Sequence, residues 1–220
     1  MKQSSDSVCA LPLTHPLRHG DRVLTNFFRN LTKLDHTQTI SLYGLFETNG
    51  QTHANSWAQA LESAHKRKSA FIASAIALPL SESTRAPLGI LPPMIVASGQ
   101  WGGRIKEETK LFPHEMIIKN QVPRENALVI GSYFLDDAHQ EAFSDQTLLY
   151  KDLINYSFAM SDEIKKEMNL SGSSYALAVA IGRLMSLCES KLRPFKRLQE
   201  CLKNKSVSVS TVSHELLYQF

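Results

Sequence analysis

The chain has few cysteines, and their arrangement excludes the simplest cysteine-based sites. Only Cys9, Cys188 and Cys201 occur among the 220 residues, and no two of them form a C-x-x-C pair. An odd, scattered set of this kind predicts neither a zinc knuckle nor a disulfide framework. Cys188 lies on an apolar helical stripe and Cys201 lies beside it. We therefore interpret both as small hydrophobic residues in a reducing, cytoplasmic setting.

Long hydrophobic runs are also missing. The first seven residues are polar, and the longest apolar stretch, residues 70–80, is interrupted by Ser74 and Pro79. A transmembrane helix needs about 20 apolar residues, so the sequence predicts no membrane span and no secretory signal.

Neither positive nor negative residues are in large excess, because the net charge is only +3. A dedicated nucleic-acid-binding protein usually has a larger basic excess, concentrated on one face.

Established catalytic signatures are absent from the sequence. No G-x-S-x-G motif occurs, and the glycine-rich segment 98–104 fits neither the P-loop nor the dinucleotide-binding fingerprint. Glycines nevertheless allow backbone amides to approach an anion, and nearby cations can neutralise it. The segment is therefore a candidate anion-binding loop, formed by Gly99, Gly102, Gly103, Arg104 and Lys106. The simpler interpretation is a glycine-rich turn that Trp101 attaches to the protein body.

Acidic and histidine residues follow the most apolar segment of the chain. Asp136, Asp137 and His139 lie directly after it, at a position where acid–base chemistry is often placed. Together with the candidate anion-binding loop, they define an enzyme hypothesis. The same residues also suit the start of a helix, with an aspartate as the N-cap and Glu141 in the first turns. We favour the helix start as the simpler interpretation.

A second group of titratable residues, near the N-terminus, has the spacing of metal ligands. His15, His19 and Asp21 form an H-x-x-x-H-x-D pattern that would place both histidines on one face of a helix. Pro16 and Gly20 make a continuous helix there doubtful. The sequence therefore predicts polar loop histidines and neither a metal site nor a cofactor.

The strongest positive signal is a basic, amphipathic helix between Ser174 and Asn204. Its apolar residues recur every three or four positions, which is typical of a helix with one buried face. Pro194 interrupts the pattern and predicts a kink or a division into two helices. The commonest arrangement would be a core helix with a solvated outer face, and contact with nucleic-acid phosphates is a further alternative. A partner-binding surface is predicted at Lys191, Arg193, Phe195, Lys196, Arg197, Leu198 and Leu202.

Periodicity and turn residues predict the remaining elements. Apolar residues at helical spacing predict two helices in the first third of the chain, at 21–34 and 56–75. Alternating or continuous apolar runs predict strands at 39–47, 94–97, 115–119 and 127–134. Residues from Asp145 onward are expected to be mainly helical. The tail at 206–213 suits an edge strand or a segment that becomes ordered on a partner.

This order of elements indicates an α+β fold, with a small mixed or antiparallel sheet flanked by helices and a helical C-terminal lobe. We expect an irregular segment at 1–20, an α/β lobe at 21–143, a helical lobe at 144–205 and a tail at 206–220. Three observations favour a non-catalytic protein-interaction subunit. Catalytic motifs are missing, a long loop contains Pro79, Pro87, Pro92 and Pro93, and the C-terminal segments look able to dock onto a partner. Such an adaptor would belong to a larger bacterial assembly, for example a secretion or conjugation machine. The alternatives are the enzyme hypothesis and a nucleic-acid-associated protein that uses the basic helix.

Overall fold

The structure is a computed structural model. It describes residues 19–31, 39–43, 54–76, 78–79, 91–99, 111–135, 141–143, 153–159, 173–188, 195–205 and 216–218. The helices of this part are α1 (His19–Asn30), α2 (Ala54–Lys66), α3 (His114–Ile118), α4 (Ser173–Leu187) and α5 (Phe195–Lys205). The strands are β1 (Ile72–Ser74), β2 (Leu78–Pro79), β3 (Met94–Ala97), β4 (Leu111–Phe112), β5 (Ala127–Leu135), β6 (Glu141–Phe143), β7 (Tyr156–Ala159) and β8 (Leu216–Tyr218).

The main sheet is built from parallel strands in the order β1-β3-β5-β7-β8. β6 pairs antiparallel with β5, and β2 pairs antiparallel with β4 in a separate two-stranded sheet. All four residues of β3 are buried, as are Ala127 to Ser132 of β5. Continuous burial is typical of central parallel strands, because such sheets are covered on both faces.

Alternate residues of β3 and β5 face two different hydrophobic clusters. Ile95 and Ala97 of β3, with Leu128 and Ile130 of β5, pack against α1, α4 and α5. The residues between them pack on the opposite face, together with Trp57 and Leu61 of α2 and Met116 and Ile117 of α3. Because side chains alternate along a strand, this division is what a sheet between two helical layers requires.

α1 and α4 run in the same direction and approach closely. The side-chain amide of Asn26 donates a hydrogen bond to the carbonyl of Tyr175 (3.1 Å), and Nε of Arg183 donates to Oδ1 of Asn30 (3.3 Å). Residue numbers thus rise together along both helices, so their N-termini lie at the same end. Gly182 lies at the closest approach, where an added Cβ would be 2.7 Å from the carbonyl oxygen of Phe27.

The expected combination of helices with a sheet is confirmed, but the antiparallel arrangement is wrong, because the main strands are parallel. The error has a local origin. Residues 115–119 were expected to form a strand, but they lie largely in α3, so β3 and β5 are joined by a crossover rather than by a direct strand connection. A short buried apolar run does not distinguish a helix from a strand by its periodicity.

Two further expectations differ from the structure. Residues 39–43, which were expected to begin a strand, lie in neither a helix nor a strand. β7, rich in tyrosine and phenylalanine, lies within the stretch 144–205 that was expected to be a helical lobe. Aromatic residues favour strands, and β7 gains partners on both sides, from β5 and β8. The division of the chain into lobes stays a prediction.

The predicted effect of Pro194 is confirmed, since α4 and α5 are separate helices and α5 begins at Phe195, directly after the proline. The tail segment 206–213 lies outside the described residues. β8, which follows it, pairs in parallel with β7 at the edge of the main sheet.

Candidate functional site at the carboxyl edge of the sheet

The N-terminus of α4 meets the ends of two parallel strands. The Gly99 N–H, just after β3, donates a hydrogen bond to Oγ of Ser173 (3.0 Å). Oγ of Ser174 donates to the carbonyl of Ala75, just after β1 (2.8 Å). Gly99 has a φ of 80°, a conformation that glycine adopts without strain. Open parallel α/β proteins bind their ligands outside this edge of the sheet, at a point where the strand order reverses, whereas the order of the described parallel strands does not reverse.

The N-terminus of α1 lies at the same end of the molecule. The side chain of Arg22 hydrogen-bonds to Tyr175, in the first turn of α4. Burial raises the pKa of the Tyr175 hydroxyl, and the positive charge of Arg22 partly offsets that rise. His19 and Asp21 share the first turn of α1 with Arg22. Two helix N-termini, each carrying a partial positive charge, thus lie close to this edge.

Ser132 of β5 adds a buried hydroxyl at the same level of the sheet. The last pair of β3 and β5 is Ala97 with Ile130, and Gly99 and Ser132 each follow that pair by two residues. Alternation places Ser132 on the same face as Leu128 and Ile130, which is the face that α4 covers. The side chain is 0% exposed, and its Oγ makes no hydrogen bond in the described part of the chain.

His114 supports the end of β3 from the other side. Its Nε2 lies 2.7 Å from the carbonyl oxygen of Ala97, which can only accept, so Nε2 carries the proton. The imidazole is fully buried, and burial lowers the pKa of His114 to about 4, although the hydrogen bond to Ala97 opposes the shift. The ring is therefore neutral at pH 7. It fixes the position at which the chain leaves β3 towards Gly99.

The candidate anion-binding loop is only partly described. Gly99 lies at this edge, as the loop hypothesis requires, whereas Gly102, Gly103, Arg104 and Lys106 lie outside the described residues. Asp136, Asp137 and His139 also lie outside them, as does His15. No group of three histidine, cysteine, aspartate or glutamate side chains with the geometry of a metal site occurs within the described ranges.

The predicted partner-binding surface on α5 requires a correction. Phe195 and Leu198 are buried in the core that α1 and α4 share, so these two side chains do not form a docking face. Lys196 and Arg197 are exposed, which agrees with a core helix that has a solvated outer face. Lys191 and Arg193 lie outside the described residues, and the structure does not describe the side chain of Leu202.

The interpretation of two cysteines is confirmed for their burial but wrong for their redox state. Cys188, just after α4, and Cys201 of α5 are joined by a disulfide, with their Cα atoms 6.1 Å apart. Both are buried in the core, as expected for small hydrophobic residues, but they are not free thiols. The 13-residue separation of the two cysteines is not the spacing of a cysteine motif, so it does not indicate a bond. The pairing depends on how α5 packs beside the end of α4, which the sequence does not reveal.

Sequence reasoning missed Ser132, His114 and Ser174 as members of one site. The available signal was the serine-rich segment 171–174 before an apolar helical run, which is a typical helix start. No local pattern indicates that this start lies beside the ends of β1 and β3, because the three segments are far apart in the chain.

Comparisons with known proteins give little further information. No protein-family model and no curated protein matches the chain. The chain is similar to a chain from a solved structure described as "Structural basis of subtilase cytotoxin SubAB assembly", with a TM-score of 0.49 and 13% identity. The match covers 76% of this chain and 63% of that chain. At this identity and TM-score, the similarity does not bear on function.

Among the helices of the described ranges, none has the length and apolar character needed to cross a bilayer.

Proposed function

We propose that the chain is a non-catalytic protein-interaction subunit that contacts its partner through residues 39–43. In this proposal the chain belongs to a larger bacterial assembly, such as a secretion or conjugation machine. The observation that carries the proposal is the pair of large apolar side chains exposed in this segment: Leu42 is 59% exposed and Tyr43 is 43% exposed. Exposed apolar residues that are adjacent, rather than scattered singly, are typical of interaction sites.

Polar contacts hold this segment on α2. The Tyr43 hydroxyl donates to Oγ of Ser63 (2.7 Å), and the Arg67 guanidinium donates to Oγ of Ser41 (3.4 Å). Ile40 packs against the core. The segment is therefore anchored while Leu42 and much of Tyr43 remain in solvent. A pre-positioned segment loses less conformational entropy on binding than a free one.

The sequence of this segment also favours addition of a partner strand. Its alternating apolar residues predict a strand, yet no strand of the described part pairs with it. A segment of this composition is a template for pairing with an extended segment of another protein. The side chains of Leu42 and Tyr43 would then supply the apolar contacts of the interface.

Leu42→Asp tests the proposal, with Ile118→Asp as the matched control. Ile118 on α3 is 44% exposed and lies outside the segment. Burying a leucine side chain contributes about 1.5–3 kcal/mol, so the aspartate is expected to weaken partner binding about 10- to 100-fold. The measurement is co-purification from the source cells, followed by titration of the partner identified. If Leu42→Asp retains the partner, or if Ile118→Asp loses it equally, the proposal is wrong.

A second candidate is an enzyme that uses the carboxyl edge of the sheet. The observation favouring it is the hydroxyl of Ser174, partly buried in the first turn of a helix at this edge. The base in this hypothesis is one of the earlier candidates, Asp136, Asp137 or His139. A fluorophosphonate probe should then label Ser174 and should not label Ser174→Ala, and lack of labelling of the unmodified protein would exclude this nucleophile.

The cytoplasmic location and the nucleic-acid partner have less support. Disulfides persist mainly in oxidising compartments, so the Cys188–Cys201 bond is an observation against the cytoplasm. We therefore favour an oxidising compartment as the working location. For nucleic acid, the described residues offer the exposed Lys196 and Arg197 on α5, which is typical of an ordinary solvated face.

A further inference from the structure

We propose that the corner between Gly99, Ser132 and the first turn of α4 binds a small oxyanion, the carboxylate or phosphate group of a ligand. This inference is independent of the proposed interaction through residues 39–43. It rests on three observations: a buried hydroxyl without a partner, two helix N-termini at one end of the molecule, and a cation beside them.

The hydroxyl of Ser132 is the observation that points to a ligand. Leaving a buried hydroxyl without a partner costs about 1–3 kcal/mol. Ser132 is 0% exposed and its Oγ has no hydrogen-bond partner in the described part of the chain, although the strand directs it towards the face that α4 covers. At the level of Gly99, this direction leads to the first turn of α4. An oxyanion there would accept the proton that Oγ offers.

The local charge distribution favours a negative group. α4 is 15 residues long and α1 is 12, and the N-terminus of each carries a partial positive charge, because the first N–H groups of a helix have no partner within the helix. Arg22 adds a full charge at the same end, where its side chain hydrogen-bonds to Tyr175. Asp21 lies in the same turn of α1 and offsets part of this charge. We therefore expect affinity in the millimolar range, since only the dipoles, one cation and hydroxyl donors contribute.

The residues of the corner differ in burial. Ser132 and Ser173 are buried, whereas Ser174 is only partly buried and Gly99 is partly exposed. Ser173 accepts the Gly99 N–H, and a hydroxyl that accepts one hydrogen bond can also donate one. An oxyanion that enters beside Ser174 would thus meet two hydroxyl donors, Ser132 of β5 and Ser173 at the start of α4.

Thermal unfolding in matched salts tests the inference. The full chain is measured in sodium phosphate, sodium acetate and sodium chloride, at equal ionic strength and pH. At ten times Kd, the Tm of the protein should rise by about 4 °C over chloride. A rise that the site variants lose identifies a phosphate site if it occurs in phosphate alone, a carboxylate site if it occurs in acetate alone, and a general oxyanion site if it occurs in both.

Two variants and two controls separate binding from general salt effects. Ser132→Ala and Arg22→Gln should lose the anion-specific rise. Ser186→Ala, on the same helix α4, and Arg29→Gln, seven residues further along α1, should keep it. The comparison matters because phosphate stabilises folded proteins in general, and that general effect remains in every variant. Ser132→Ala removes only a hydroxyl without a partner, so we expect it to fold.

Three outcomes would overturn the inference. The first is no rise over chloride in either salt. The second is a rise that Ser132→Ala keeps in full, which would mean a general salt effect. The third is an equal loss in Arg29→Gln and Arg22→Gln, because the response would then depend on net charge rather than on the corner.

Discussion

The close approach of α1 to α4 at Gly182 makes the sharpest prediction about stability. An added Cβ at this position would lie 2.7 Å from the Phe27 carbonyl oxygen and 2.9 Å from Cβ of Asn30. The nearest of these atoms belongs to the backbone, so relief requires the two helices to separate. Gly182→Ala should therefore destabilise the fold, although alanine is the better helix former.

The magnitude follows from two opposing terms. Overpacking of this kind typically costs about 1–3 kcal/mol, and a contact with backbone is at the upper end of that range. Replacing glycine by alanine inside a helix returns up to about 1 kcal/mol. The expected net loss for Gly182→Ala is about 2 kcal/mol, which lowers Tm by about 4–8 °C for a chain of this size.

Gly20→Ala is the matched control, because it makes the same chemical change in a helix. Nothing lies within 4 Å of a Cβ added at Gly20. Both substitutions restrict the unfolded chain equally, so the difference between them isolates the contact between α1 and α4. Gly20→Ala should be neutral or stabilise the protein by about 0.5 kcal/mol. Urea unfolding monitored by circular dichroism measures both, and equal stability of the two variants would refute the packing argument.

Two further predictions concern His114 and the disulfide. The pKa of His114 is about 4 in the folded state, against 6.5 for an exposed histidine, so the unfolded chain binds the proton more readily. Stability should therefore be highest above pH 6.5 and fall by about 3 kcal/mol as the pH drops towards 4. Urea unfolding should show a flatter pH dependence in His114→Gln, and an unchanged slope would contradict this account. Reduction of the Cys188–Cys201 bond should cost about 3 kcal/mol, since it closes a loop of this length. Dithiothreitol should lower the unfolding midpoint of the protein but not that of a Cys188→Ala/Cys201→Ala variant, and free thiols found by mass spectrometry in oxidised protein would exclude the bond.

The elements that the sequence predicts well are those with a strong local pattern. The apolar runs at β3 and β5 are strands as expected, and the helical spacing from Ser174 onward corresponds to α4 and α5. Pro194 carries its own backbone restriction, so a division of the helical stretch at this position was predictable. These features depend on residues close in sequence, and they therefore do not require knowledge of the tertiary fold.

The elements that the sequence predicts poorly depend on distant partners. Ile117 and Ile118 satisfy a strand pattern and a helix pattern equally, and the packing of Met116 and Ile117 on the sheet decides for α3. At β7, the spacing of Leu153, Tyr156 and Met160 suggests a helical stripe, whereas pairing with β5 and β8 makes the segment a strand. Tertiary contacts override local preference in both cases.

The candidate site was hidden for the same reason. Parallel strands bring segments that are remote in the chain to one edge. Here Ala75 and Gly99 form hydrogen bonds with the first two residues of α4. Each participant taken alone is an ordinary serine or glycine. Only the strand order and the register reveal that Ser132 lies just beyond the last pair of β3 and β5, on the face that α4 covers.

The packing of α1 on α4 and the proposed oxyanion site are mechanically connected. Gly182 allows α1 to lie close to α4, and the same contact sets how near Arg22 comes to the first turn of α4. Separation of the helices in Gly182→Ala would move this charge outward, and Coulomb energies fall with distance. The variant should thus lose part of the anion-specific rise in Tm as well as stability. If its stability falls while the anion response is unchanged, Arg22 does not contribute through its position beside α4.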